Sequence, residues 1–122
     1  MSERQFWGGN IRKLWPTETH KFRDHLLRLD KNSRRLRFAH GVSDAFIEDY
    51  AARMGEMGGI VYAFLDNEEV RAAAELKKLG DLWGKEAEAA FSVEPALQDK
   101  GIGSELMGRV IRAARNRGVH HL

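Results

Sequence analysis

The stretch QDKGIGSEL, Gln98–Leu106, decides how the rest of the chain is read. It follows an alternating apolar segment closed by Pro95 and precedes a run of helical periodicity. Leu106, Met107, Val110, Ile111 and Ala114 share one helical face, with Arg109, Arg112 and Arg115 opposite. The spacing predicts a helix over about residues 103–117, closed by Gly118. The first turn of a helix has N–H groups without intrahelical acceptors, and its dipole favours negative charge. Gly101 and Gly103 carry no Cβ, so an anion can approach their backbone closely. A strand, a glycine loop and a helix N-terminus in that order form an anion cradle. A P-loop would need G-x-x-x-x-G-K-[ST], and that lysine is absent. A dinucleotide fingerprint would need glycine where Leu106 stands.

Upstream of the cradle, Ala87, Ala89, Phe91 and Val93 alternate with Glu86, Glu88 and Ser92, which predicts a strand. Val70, Ala72, Ala74 and Leu76 alternate with Arg71, Glu75 and Lys77, which predicts another with one wet face. Ile60–Leu65 is a continuous apolar run and predicts a strand buried on both faces. DNEE at 66–69 and Gly80–Asp81 supply turns, so the three strands form an antiparallel meander.

Further out, Ser43 caps a helix lined by Phe46, Ile47, Tyr50, Ala51 and Met54, with Gly55 as its C′ residue. SRRLRF, Ser33–Phe38, reads as a solvated basic connector anchored by Leu36 and Phe38. Phe22, Leu26 and Leu29 mark a helix capped by Thr17 and ended by Asp30–Asn32. Ile11–Trp15 reads as a short strand stopped by Pro16. Residues 1–10 read as a flexible lead-in punctuated by Gly8 and Gly9. Val119–Leu122 reads as the start of one more strand.

Composition narrows the classes. A chain of 122 residues makes one domain at most. Twenty basic against 18 acidic side chains leave a charge of +2, too balanced for wholesale nucleic-acid binding. The absence of cysteine excludes disulfides, thiolate metal sites and cysteine nucleophiles. No apolar run approaches bilayer length and the start lacks a signal-peptide core, so a cytoplasmic location and no membrane are expected. His120 and His121 are adjacent, so on a strand they point to opposite faces and chelate poorly; no metal is expected. His20, His25 and His40 are scattered, and Trp7, Trp15 and Trp83 read as packing or loop anchors.

The order of elements, with Gln98-x-x-Gly101-x-Gly103 after AFSVEP, resembles the GNAT family of acyl-CoA-dependent N-acetyltransferases, whose signature is Q/R-x-x-G-x-G/A. The resemblance spans about residues 11–122 as a single domain. It implies an α+β fold, a mixed and mainly antiparallel sheet flanked by helices. It implies acetyl-CoA as cosubstrate, with the pyrophosphate held by the backbone of Gln98, Asp99, Lys100, Gly101, Ile102, Gly103 and Ser104. The backbone of Val93 would pair with the pantetheine arm and stabilise the tetrahedral oxyanion. The implied reaction is direct attack by a primary amine, either a small amine or a protein lysine or N-terminus, in a ternary complex. Glu88, on the strand bordering the acceptor site, is the candidate general base, with Glu86 behind it.

The chain stops where that family's fifth strand begins. The family's next helix commonly supplies an acid for the thiolate leaving group, and neither Tyr50 nor Tyr62 matches that position. The expectation is therefore a domain lacking its C-terminal part, weakly active alone or completed by another subunit, for example as a homodimer. The competing reading is a CoA-binding or dimerising module without catalysis. An RNA-binding reading lacks aromatics interleaved with the basic runs.

Overall fold

The computed structural model of the chain describes residues 5–6, 9–98 and 101–122. Five strands lie in chain order in one sheet: β1 (Gln5–Phe6), β2 (Gly9–Lys13), β3 (Ile60–Asp66), β4 (Glu69–Lys78) and β5 (Ala87–Val93). Every neighbouring pair is antiparallel. Among the described residues one isolated parallel bridge, Glu86 with His121, lies beyond β5. Helices α1 (Thr19–Arg28), α2 (Lys31–Phe38) and α3 (Asp44–Glu56) cover one face, and α4 (Ile102–Asn116) covers the other. This is the expected α+β architecture.

The sheet begins earlier than the sequence suggests. Gln5 pairs with Asn10 and Phe6 with Gly9, inside the segment expected to be a lead-in. Gly9 is glycine for want of room: a Cβ there would lie 2.2 Å from the Leu65 carbonyl oxygen and 2.7 Å from the Phe64 ring. Trp7 and Gly8 lie outside the described residues.

Two cores flank the sheet. On the α4 side, Ile60, Phe64, Ala72, Ala74, Leu76 and Ala87 meet Ile102, Leu106, Val110, Ala113 and Ala114. Met107 falls outside this stripe and is 46% exposed. On the other side, Val61, Ala63, Leu65, Val70 and Ala73 meet Phe22, Leu26, Ile47, Ala51 and Met54. The β3–β4 turn at Asn67 and Glu68 has positive φ at both residues (53° and 65°), the conformation of a two-residue hairpin turn. The β3–β4 register slips between Phe64 and Leu65, which pair with Ala72 and Val70, so Arg71 is an extra residue in a bulge.

Strand β4 has no wet face. Residues Ala72–Leu76 are all buried, because α1–α3 lie over the side that alternation assigns to water. Its one buried acid, Glu75, is satisfied by Arg37. The guanidinium donates from Nε to Oε2 at 2.8 Å and from Nη2 to Oε1 at 2.7 Å. The Tyr50 hydroxyl also donates to Glu75.

SRRLRF is therefore no solvated connector. Asp30, expected to end a helix, caps a new one: its carboxylate accepts the Ser33 N–H at 2.8 Å. Leu36 is 75% exposed and anchors nothing, whereas Phe38 packs edge-on against Phe46 and Tyr50.

Three further boundaries differ. Thr17 lies inside a 3₁₀ turn, Pro16–Glu18, and Glu18 rather than Thr17 takes up a loose N–H, that of Trp15 at 2.8 Å. Trp15 itself is 70% exposed, whereas Trp83 packs on the α4-side core under Arg117. Helix α3 runs through Gly55 to Glu56 after the expected Ser43 cap. Residues 119–122 form no further strand: Val119 is buried in the α4-side core, the His120 and His121 N–H groups donate to the Lys85 carbonyl at 2.7 and 3.0 Å, and the Ala87 N–H donates to the His121 carbonyl at 3.0 Å.

Breaking one partner of a buried pair leaves an uncompensated charge, at a cost of about 3–5 kcal/mol. Arg37→Met and Glu75→Met should each destabilise on that scale in urea unfolding. The double variant should recover most of the loss. Hydrogen bonds from Arg12 hold the Glu18 carboxyl at about 2, against an ordinary 4.5. A lowered carboxyl stabilises the fold above the ordinary range, and the contribution disappears as pH falls through that range toward about 2. Arg12→Leu should thus lower the melting temperature at neutral pH, and acid-titrated melts should show the deficit shrinking below about pH 4.5.

Candidate active site

Among the described residues, strand β5 has a strand neighbour on one side only. The Glu94 N–H donates to the Arg71 carbonyl at 3.0 Å, toward β4, while the Ala87 N–H donates the opposite way, to His121. Amide directions alternate along an antiparallel strand. The Ser92 N–H therefore points to β4, and those of Ala89, Phe91 and Val93 point to the outer edge. The Val93 carbonyl is taken up by the Gln98 side-chain amide at 3.0 Å. An extended ligand along this edge would meet the Val93 N–H.

The loop after β5 turns at Pro95–Leu97, where the Gln98 N–H donates to the Pro95 carbonyl at 3.3 Å. Gln98 thus enters the site through its side chain, and its N–H does not join the cradle as expected. Asp99 and Lys100 lie outside the described residues. Gly101 is the N-cap of α4 with φ 82°, in the left-handed region. No atom lies within 4 Å of a Cβ built there, so conformation and not crowding demands glycine.

The first α4 bond runs from the Glu105 N–H to the Gly101 carbonyl at 3.3 Å. The N–H groups of Ile102, Gly103 and Ser104 are then the first-turn donors without intrahelical acceptors. Ile102 is buried and pins the loop to the core, while the Cβ position of Gly103 is open. A cavity of about 340 Å³ lies beside this loop, lined by Ser33, Leu36, Val93, Gln98, Gly101 and Gly103. Donors converging on open space at a helix start fit a diphosphate.

Glu88 lies at the other end of β5, about 16 Å from Val93 at strand rise. It pairs in register with Lys77 and sits 3.7 Å from Lys77 Nζ, with its side chain 62% exposed. Lys77 Nζ donates to the Tyr50 hydroxyl at 3.1 Å, and Tyr50 continues to Glu75. Burial, reinforced by Glu75, pushes the Tyr50 phenol well above its ordinary value, so it stays a donor. A smaller cavity of about 190 Å³ is lined by Tyr50, Arg53, Lys77, Gly80 and Glu88. Glu86 is exposed beyond the strand and is tied to His121 through the backbone.

A third group escapes sequence reading. His25, buried between α1 and β5, accepts from or donates to Ser92 Oγ through Nε2 at 2.8 Å, and contacts Glu94 Oε2 through Nδ1 at 2.9 Å. Glu94 also receives Arg28 Nε at 3.1 Å and Arg71 Nη1 at 3.2 Å. Burial favours the neutral Glu94 carboxyl, but His25 and Arg28 outweigh it and hold the group below its ordinary value. Burial lowers His25, and Glu94 opposes this only in part. The signal was present in the sequence: His25 stands three residues after Phe22 on the apolar stripe of α1.

The sequence matches the acetyltransferase (GNAT) family over residues 15–122, and the chain belongs to that family. No curated protein matches it. Among solved structures, the GNAT domain of S. lividans PAT is similar with a TM-score of 0.71 and 20% identity, over 91% of this chain and 68% of that one. A predicted acetyltransferase from Clostridium acetobutylicum, solved with acetyl-CoA, gives 0.68 and 14%, over 93% and 77%. The acetyltransferase yncA from Salmonella typhimurium, also with acetyl-CoA, gives 0.58 and 21%, over 91% and 65%. At these identities the likeness is one of fold. Among the described residues no helix is long and apolar enough to cross a membrane.

Gly101 and Gly103 should respond oppositely to alanine. Gly101→Ala forces a Cβ into the left-handed region and should cost about 1 kcal/mol. Gly103→Ala removes chain entropy at a helical position with open space and should stabilise by about 0.5–1 kcal/mol in denaturant titrations.

Proposed function

We propose that the chain binds acetyl-CoA along the outer edge of β5 and transfers its acetyl group to a primary amine by direct attack in a ternary complex, in a cytoplasmic setting. One observation carries the reading: the outward Val93 N–H and the first-turn donors of α4 lie on the same strand edge and its continuation. The backbone from Asp99 to Ser104 would hold the pyrophosphate, and the Gln98 side chain keeps the Val93 carbonyl occupied. The Val93 N–H would meet the pantetheine arm or the developing oxyanion. Acetyl-CoA in two structures of similar fold supports acetyl-CoA as the ligand.

Glu88 is the proposed general base. It is exposed beside a cavity that can admit an amine, on the face of β5 opposite α4. It would take a proton from the ammonium form of the entering amine, before the neutral nitrogen reaches the thioester, since at about 16 Å from Val93 it is out of reach of a nitrogen attacking there. The nitrogen then forms the amide bond as the C–S bond breaks and the thiol of CoA leaves. Proximity and orientation supply most of the acceleration.

The second reading, a CoA-binding or dimerising module without catalysis, draws on the edge of β5, which among the described residues meets the His121 bridge at one end and the Gln98 side chain at the other.

Calorimetric titration with acetyl-CoA separates these readings. The native chain should bind saturably, and the Gly101→Glu, Gly103→Glu double variant should not. Amine turnover should then fall about 100-fold or more in Glu88→Gln with acetyl-CoA affinity unchanged. Binding without turnover on any amine would favour the second reading, and absence of binding by the native chain would defeat acetyl transfer and CoA binding alike.

A further inference from the structure

Ser92, His25 and Glu94 form a hydrogen-bonded series that amide transfer by direct attack does not use. An ionised carboxylate only accepts, so the proton on His25 belongs on Nδ1, facing Glu94. Nε2 of the neutral ring then accepts from Ser92 Oγ at 2.8 Å. Glu94 is fixed in turn by Arg28 and Arg71. A hydroxyl, a base with its acceptor nitrogen turned to that hydroxyl, and a carboxylate fixing the tautomer are the parts of an activated serine nucleophile.

Position adds to this. His25 is completely buried, and both of its ring nitrogens are engaged in this series. Ser92 lines the cavity of about 340 Å³ that also contains Val93, Gln98 and Gly101. Its neighbours Phe91 and Val93 direct their N–H groups to the outer edge, where they are available to an oxyanion beside Oγ.

We propose that Ser92 is a nucleophile, with His25 its base and Glu94 the residue that orients the base, and that the site hydrolyses acyl-CoA thioesters through an acyl-serine. The substrate half of this inference rests on the acetyl-CoA reading; the nucleophile does not.

Oγ bonds to the thioester carbonyl carbon while its proton moves to Nε2. The C–S bond breaks, and the sulfur leaves as the thiol with that proton. Water then bonds to the acyl carbon and gives a proton to Nε2. The Oγ–C bond breaks, the proton returns to Oγ, and the carboxylic acid departs. No electron is transferred overall.

The test uses the full chain and two independent probes. A fluorophosphonate needs no CoA: Oγ bonds to phosphorus and fluoride leaves. Mapping by mass spectrometry should place the label on Ser92 and not on Ser33, Ser43 or Ser104. Labelling should vanish in Ser92→Ala and slow about 100-fold or more in His25→Gln. Acetyl-CoA without an amine should acetylate the Ser92 peptide and release thiol, with release falling about 100-fold or more in Ser92→Ala. A melting temperature for Ser92→Ala close to that of the native chain separates lost chemistry from lost folding.

Saturable acetyl-CoA binding with neither label on Ser92 would overturn the nucleophile and leave the acetyl-CoA reading standing. Phosphonylation of Ser92 without acetyl-CoA binding would support the nucleophile and overturn its acyl-CoA substrate. Failure of both probes and of binding would overturn both.

Discussion

The fold turns on one buried carboxylate. Glu75 sits fully buried in β4, between a three-helix layer and the strands beside it. Taking that charge out of water is costly unless a partner meets it with good geometry. Arg37 does so with two parallel donors, and Tyr50 adds a third. The ion pair fixes α2 through Arg37 and α3 through Tyr50 against the same strand. The placement of α2 brings Ser33 and Leu36 over the cavity beside the glycine loop. Tyr50 also receives Lys77, which neighbours Glu88. Both ends of the candidate site therefore lean on a residue that touches neither.

The two faces of the sheet divide the labour. The α4 face is apolar across β3, β4 and β5, and Ile102 drives the start of α4 into it. That packing fixes where the first-turn donors point. The opposite face carries a polar seam along β4 and β5: Glu75, Lys77 and Glu88 at one end, Arg71, Ser92 and Glu94 at the other. No buried side-chain polar atom among the described residues lacks a partner. A seam so fully satisfied is rigid and holds its members in fixed orientations. One face thus supports the backbone that receives an anion, and the other carries the titratable side chains.

The parts legible in the sequence rest on short-range rules. Alternation marked β5, the unbroken apolar run marked β3, Ser43 marked the start of α3, and the spacing of Gln98, Gly101 and Gly103 marked the loop. What was hidden depends on residues far apart in the chain. Arg37 meets Glu75 across 38 positions and His25 meets Glu94 across 69, and periodicity carries no trace of such pairings. A charged residue in an alternating strand reads as solvent-facing because its usual partner is water. Gly9 misled for a related reason: the Leu65 carbonyl that crowds it lies on another strand.

Register joins these observations. Along β5 the odd-numbered side chains serve the α4 core, and the even-numbered ones, Glu88, Ser92 and then Glu94, serve the polar seam. The same parity turns the Phe91 and Val93 amides outward. A slip of one residue against β4 would exchange both assignments at once, setting Phe91 opposite Glu75 and Ala89 opposite Lys77 and turning the Phe91 and Val93 amides inward to β4. The bulge at Arg71 keeps β4 from slipping, since it lets Val70 stay in the helix-side core while Ala72 and Ala74 face α4. It also turns the Val70 carbonyl to Arg28 and the Arg71 carbonyl to the Glu94 N–H. The irregularity in β4 is thus what lets a regular β5 present an open row of amides on its edge and a fixed serine, histidine and glutamate on its face.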